Sequence, residues 1–176
     1  MNSIKQIEVL LADRLVGRLA LTKEGLCAFE YAPDWLGSGF SISPFELPLR
    51  SGVFLTKPRP FEGGFGVFDD CLPDGWGLLI VDRYLQQKGI NPRALTLLDR
   101  LALVGSSGRG ALEFRPDHSV VTRQDYADFE KLALEAERIL GSDEYRGKGI
   151  EEFQDRGGSP GGARPKIFAR YEGKEW

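Results

Sequence analysis

The residues of this chain best suited to chemistry lie near its end, in Asp155-Arg-Gly-Gly-Ser-Pro-Gly-Gly-Ala-Arg-Pro-Lys166. From Gly157 to Gly162, Pro160 is the one residue that is not glycine or serine, and no bulky apolar side chain interrupts the run. Without a Cβ, consecutive N–H groups can turn to the same side and an anion can approach them closely, while Arg164 and Lys166 place positive charge alongside. The pattern is that of a phosphate cradle. It is not a Walker A loop, because no Gly-Lys-Ser/Thr follows, and Gly158-x-x-Gly161-Gly162 is not the dinucleotide spacing. Ile167–Tyr171 then reads as a strand, Glu172-Gly-Lys174 as a tight turn, and Glu175-Trp176 as the first step of a second strand. A glycine-rich loop feeding a hairpin is how protein kinases roof nucleotide phosphates, with the phosphate-gripping lysine on a later strand. The same composition also describes a flexible linker before a surface hairpin, so the loop alone does not decide between the two.

Other chemistries find little support. Cys27 and Cys71 have no CxxC spacing and His118 is the only histidine, which excludes a zinc site or a Cys–His nucleophile of ordinary spacing. Both cysteines are expected to be reduced and buried. Gly64-x-Gly66 lacks the third glycine of a kinase loop and is read as a close approach of backbones, and Gly105–Gly110 as a helix-to-strand turn. A net charge of -3 over 176 residues is not that of a chain that binds nucleic acid through a basic face. The N-terminus has neither a basic nor an apolar leader region, and no stretch approaches membrane-spanning length, so a cytoplasmic protein without membrane contact is expected.

The elements that would position these residues begin with β structure. Ile4–Leu11 alternates as a strand, Asp13–Gly17 is expected to turn, Arg18–Leu21 resumes, and Leu26–Tyr31 is a third strand. Pro33–Leu36 reads as a short turn, and Pro44 and Pro48 confine Ser41–Leu49 to an edge or an irregular extended piece. Helical spacing predicts a helix from Pro73 to Lys88 with Leu78, Val81 and Leu85 on one face, stopped by Gly89. A second helix runs from Asn91-Pro92 through Leu95, Leu98, Leu101 and Ala102 to Gly105, and Ala111–Arg115 leaves it as a strand. A third starts at Thr122 with Asp125 as a capping-box-like pair and carries Tyr126, Phe129, Leu132, Ala133, Ala136 and Leu140 to Gly141. The expected class is α+β: a small antiparallel β layer with packed helices, followed by the start of a kinase-type β-hairpin lobe. The expected division is 1–140 as one subdomain, 141–156 as a polar linker, and 157–176 as the glycine-rich loop and hairpin.

Four stretches together resemble the HipA family of bacterial toxin kinases: Ser41–Leu49, Phe65–Gly77, Leu97–Gly105 continuing through Gly110-Ala-Leu112, and Gly158–Lys166. Their order and spacing cover most of the chain. The resemblance implies a HipA-like N-terminal subdomain that contacts a HipB-like antitoxin, with DNA reached only indirectly through that antitoxin. It also implies a phosphate loop for ATP, with Mg2+ in the complete kinase, at Gly158, Ser159, Gly161, Gly162, Ala163 and Lys166. Ser159 is similar in position to the serine that the family autophosphorylates. The family's ATP-gripping lysine is expected just beyond Trp176, and its catalytic aspartate, neighbouring asparagine and metal-binding aspartate farther downstream. No catalytic residue and no metal ligand is therefore assigned within the chain, and it is not expected to bind ATP tightly on its own.

Two readings follow from the resemblance. In the first, the chain is the N-terminal part of a serine/threonine kinase that phosphorylates a protein substrate, and is inactive by itself. In the second, it is a stand-alone subunit that binds and restrains a separately encoded kinase. The glycine-rich loop favours the first, since a purely restraining subunit has no use for a phosphate cradle. The end at Glu175-Trp176, inside an expected hairpin, is also expected to leave an unpaired strand edge, which a natural terminus tends to avoid.

Overall fold

Alternating apolar residues build a five-stranded antiparallel sheet at the front of the chain. The computed structural model describes residues 3–108, 110–119, 129–142, 150, 153 and 162–166. Strands β1 (Gln6–Leu11), β2 (Arg14–Leu21), β3 (Cys27–Tyr31), β4 (Val53–Leu55) and β5 (Leu112–Arg115) lie in the order β4-β3-β2-β1-β5. Helices α1 (Pro33–Ser38), α2 (Gly66–Asp69), α3 (Gly75–Gln87), α4 (Leu97–Val104) and α5 (Phe129–Gly141) accompany it. The α+β class with an antiparallel layer is thus the observed one. The chain separates into two compact units, 1–72 with 93–119, and 73–92 with 120–176.

In the first unit, register fixes which face of the sheet is buried. Val9 stands opposite Gly17 and Phe114, and Phe29 opposite Leu19 and Phe54, so their side chains share one face. Ile7, Val9, Leu19, Phe29 and Phe114 are almost wholly excluded from solvent. Against them α4 sets Leu98, Leu101 and Ala102, and α2 sets Phe68. Phe68 is the hub. Its ring centroid lies 5.5 Å from that of Phe29, 6.0 Å from Phe65 and 6.4 Å from Phe114, in tilted and edge-on arrangements that aromatic quadrupoles favour. On the opposite face, Glu8 and Arg18 form an exposed ion pair at 3.1 Å, of the kind that contributes about 0–1 kcal/mol.

Several elements differ from the sequence reading. The first hairpin turns at Ala12 and Asp13, with φ of 48° and 61°, rather than across Asp13–Gly17. Two central residues at positive φ match the twist of the flanking strands, so β2 begins at once with Arg14 and Gly17 falls inside it. Pro33 occupies the first turn of a short helix instead of a non-helical turn. α4 begins at Leu97 rather than Pro92, because Thr96 as N-cap and Asp99 form a capping box and Pro92–Ala94 makes only a 3-10 turn. The face expected of α3 is met only in part: Leu85 is buried and Val81 half-buried, but Leu78 is exposed and Trp76 and Ile80 complete the buried face. Trp76 lies at the very start of α3, where periodicity counted from leucines overlooks it.

The second unit has its own small core of Trp76, Ile80, Leu132, Ala136, Ile139, Ile150 and Phe153. Trp76 meets Phe153 edge-on at 5.3 Å. α5 contributes Leu132, Ala136 and Ile139, whereas Ala133 and Leu140 face solvent, a rotation of the expected stripe by one position. The expected start of α5 at Thr122 and the hairpin of 167–176 lie outside the described residues.

Candidate functional site

Within the first unit, the stretch Ser41–Leu49 is held by hydrogen bonds that converge on Leu47. The Tyr31 hydroxyl donates to the Leu47 carbonyl at 2.6 Å, the Ser41 hydroxyl donates to it at 2.7 Å, and the Ile42 N–H donates to Tyr31 Oη at 3.2 Å. A lone bridge between Ser43 and Leu47 replaces a strand, as Pro44 and Pro48 require. From this loop Glu46 accepts the N–H of Gly66 at 2.9 Å and so satisfies an orphan donor at the start of α2. A Cβ at Gly66 would lie 2.9 Å from the Phe61 ring and 3.3 Å from Glu46 Oε2, which explains the glycine as a close-approach residue.

The same unit contains two carboxylates fixed by hydrogen bonds. Asp99 accepts the Ile4 N–H at 3.0 Å, the Thr96 N–H at 3.0 Å and the Thr96 hydroxyl at 2.7 Å. Burial opposes its ionisation, but these donors and nearby His118 outweigh it and hold the carboxyl below the usual range. Asp117 accepts the Ser106 hydroxyl at 2.6 Å and the Ser106 N–H at 3.0 Å, and a Cβ at Gly105 would collide with it. The Gly105–Gly110 segment is accordingly a helix-to-strand turn pinned by a carboxylate. Cys27 is buried and Cys71 only half-buried, a correction to the expectation of two buried thiols. Burial pushes both thiols up to about 11, and the Cys71 Sγ–H donates to the Val67 carbonyl at 3.3 Å, so neither is a poised nucleophile.

In the second unit, the end of the glycine-rich stretch meets the first turn of α3. The Trp76 N–H donates to the Gly162 carbonyl at 2.9 Å. Gly162 holds φ of 81°, a conformation natural to glycine. Ala163, Arg164 and Pro165 are exposed, and the Lys166 ammonium lies 3.3 Å from the position a Cβ on Gly162 would take. An ammonium beside exposed glycine backbone, with the exposed Arg164 two residues on, is a donor set suited to a phosphate and unsuited to a bare metal cation. Of the residues expected to hold nucleotide, Gly162 and Ala163 lie in a bend over 162–164 and Lys166 follows it. Gly158, Ser159 and Gly161 lie outside the described residues. Sequence reasoning did not find the contact with Gly75 and Trp76. The Asp-Gly-Trp-Gly spelling at 74–77 was its only trace, read there as a helix start.

A family model for the HipA N-terminal domain matches residues 7–115. The chain belongs to the HipA N-terminal domain family. Among solved structures, the chain is similar to one described as the Shewanella oneidensis MR-1 toxin antitoxin system HipA, HipB and its operator DNA complex. That likeness has a TM-score of 0.50 at 21% identity, covers 81% of this chain, and spans 32% of the matched chain. At that identity it speaks for the fold. The HipA N-terminal match takes in the sheet, α4 and the Glu46–Gly66 contact, and leaves the stretch that carries Gly162 and Lys166 beyond its end.

Proposed function

We propose that the chain is the N-terminal part of a HipA-like serine/threonine kinase, cytoplasmic, and inactive by itself. In this reading residues 1–140 supply the subdomain that contacts a HipB-like antitoxin, and 157–176 open the kinase lobe. Gly158, Ser159, Gly161, Gly162, Ala163 and Lys166 cradle the phosphates of ATP, whose Mg2+ is held by residues of the complete kinase. DNA is reached only through the antitoxin. The observation that carries the reading is a HipA N-terminal domain followed in the same chain by a glycine-rich stretch with Arg164 and Lys166 at its exit. The solved neighbour, a HipA with HipB and operator DNA, supports the choice of partner.

Ser159 gives the reading its test. Phosphorylation there would add about two negative charges and three acceptor oxygens among N–H groups suited to ATP. The modified loop then competes with nucleotide and switches the kinase off. The complete reading frame that carries this chain is incubated with labelled ATP and Mg2+, as wild type and as Ser159→Ala, and its phosphopeptides are mapped. Phosphate on Ser159 in the wild type, absent in the variant along with longer-lasting activity, is the expected result. A wild type that is active yet unmodified at Ser159 overturns the switch. A frame that ends at 176, with the chain co-purifying with a separately encoded kinase, makes it a restraining subunit instead.

A further inference from the structure

The first turn of α3 meets the end of the glycine-rich stretch through main-chain atoms of Gly75, Trp76 and Gly162. A helix begins with N–H groups that have no carbonyl of their own turn to bond. Asp74, the N-cap residue, makes no side-chain capping bond, and it is the Gly162 carbonyl that accepts the Trp76 N–H. Gly75 holds φ of 45°. A Cβ there would overlap the Gly162 carbonyl, lying 2.5 Å from its carbon and 3.0 Å from the Ala163 nitrogen. Those atoms are backbone and cannot swing aside as a side chain would. Position 75 therefore admits glycine alone for as long as Gly162 sits where it does.

The support beneath this contact is buried. The Trp76 side chain is 1% exposed and packs on Phe153, with Ile80 and Ile150 in the same cluster. The bend it receives is exposed, and carries Arg164 and Lys166 a few residues on. We propose that Gly75 and Trp76 form a backbone seat that fixes the exit of the glycine-rich stretch and thereby the place of the Lys166 ammonium. They are positioning residues, acting through Gly162. What the seat is for rests on the phosphate-loop reading; its existence does not.

The test uses the 176-residue chain and amide hydrogen exchange followed by NMR, with thermal unfolding recorded in parallel. Gly75→Ala removes the space for the Gly162 carbonyl. Gly89→Ala is the control, because Gly89 has φ of 73° in the same unit but nothing within 4 Å of its would-be Cβ, so it carries the strain without the contact. In the wild type the Trp76 amide is protected. In Gly75→Ala it exchanges at least about tenfold faster and the Ala163 and Lys166 signals move, while in Gly89→Ala both stay as in the wild type at a similar melting temperature. Gly162→Ala reaches the same hydrogen bond from the exposed side, where the folding of α3 is not at stake, and is expected to free the Trp76 amide as well. Trp76 protection that survives both Gly75→Ala and Gly162→Ala, or that Gly89→Ala abolishes equally, overturns the seat. No nucleotide enters the measurement, so the seat stands or falls by these amides whatever becomes of the phosphate-loop reading, and an unmodified Ser159 overturns the switch alone.

Discussion

Single residues show where sequence reading and structure part. Gly17 sits between apolar runs and reads as part of a turn, yet it lies in β2 directly under an aromatic ring. A Cβ there would meet the Glu30 carbonyl and lie 2.6 Å from Phe29 Cζ. Phe29 cannot yield, being fully buried, edge-on to Tyr31 at 4.9 Å and tilted against Phe68 at 5.5 Å. Gly37 makes the opposite case: it lies in α1 and a Cβ there meets nothing within 4 Å. Gly17→Ala is expected to destabilise the chain by about 3 kcal/mol through overpacking, whereas Gly37→Ala stabilises it by up to about 1 kcal/mol through helix propensity. Urea unfolding midpoints compare them directly. Equal midpoints for the two variants would sink the close-packing account of Gly17. Composition cannot tell these glycines apart, because what each one touches is set by chain segments far away in sequence.

At the scale of elements, period and punctuation were legible where local chemistry decides, and illegible where packing does. The strands β1, β3 and β5 and the second half of β2 follow from alternation and the stop of α4 from Gly105, while β4 is too short to announce itself. The faces of α3 and α5 are legible only in part: Leu85, Leu132 and Ala136 are buried as their spacing predicts, while Trp76 and Ile139 take the places expected for Leu78 and Leu140. The start of α4 was readable in principle, since Thr96 and Asp99 spell a capping box with Asp in place of Glu. Asp99 does more than cap, because its other oxygen receives the Ile4 N–H ahead of β1. Asp99→Asn is expected to cost about 1–2 kcal/mol at pH 7. The folded carboxyl titrates below its usual 3.8, so its contribution is full above the unfolded value and disappears as pH falls through the lowered folded value. The gap between wild type and variant in urea should therefore be widest near neutrality and shrink below about pH 4. A gap that grows on acidification would show that Asp99 is not held ionised by the fold.

For the whole molecule, the family was legible because its marks are long and irregular, and the structure shows why they are. Phe65–Phe68 plugs the core, Glu46 caps Gly66, and Gly75 leaves room for Gly162. The division into two units was not legible, since α3 stands in the middle of the sequence yet shares its core with α5. In-line phosphoryl transfer needs a positioned base, metal ligands and a phosphate-gripping lysine in addition to a cradle, and those groups are expected in the HipA kinases outside the stretch present here. The 176-residue chain incubated with labelled ATP, Mg2+ and a general protein substrate is accordingly expected to transfer no phosphate, to the substrate or to Ser159. Mixing it with a separately purified polypeptide that carries the remaining groups should restore label only if the two associate. Turnover by the chain alone, persisting through a second purification that removes trace kinases, would mean that its own carboxylates and lysines suffice, and the reading of this chain as one part of a kinase would fall.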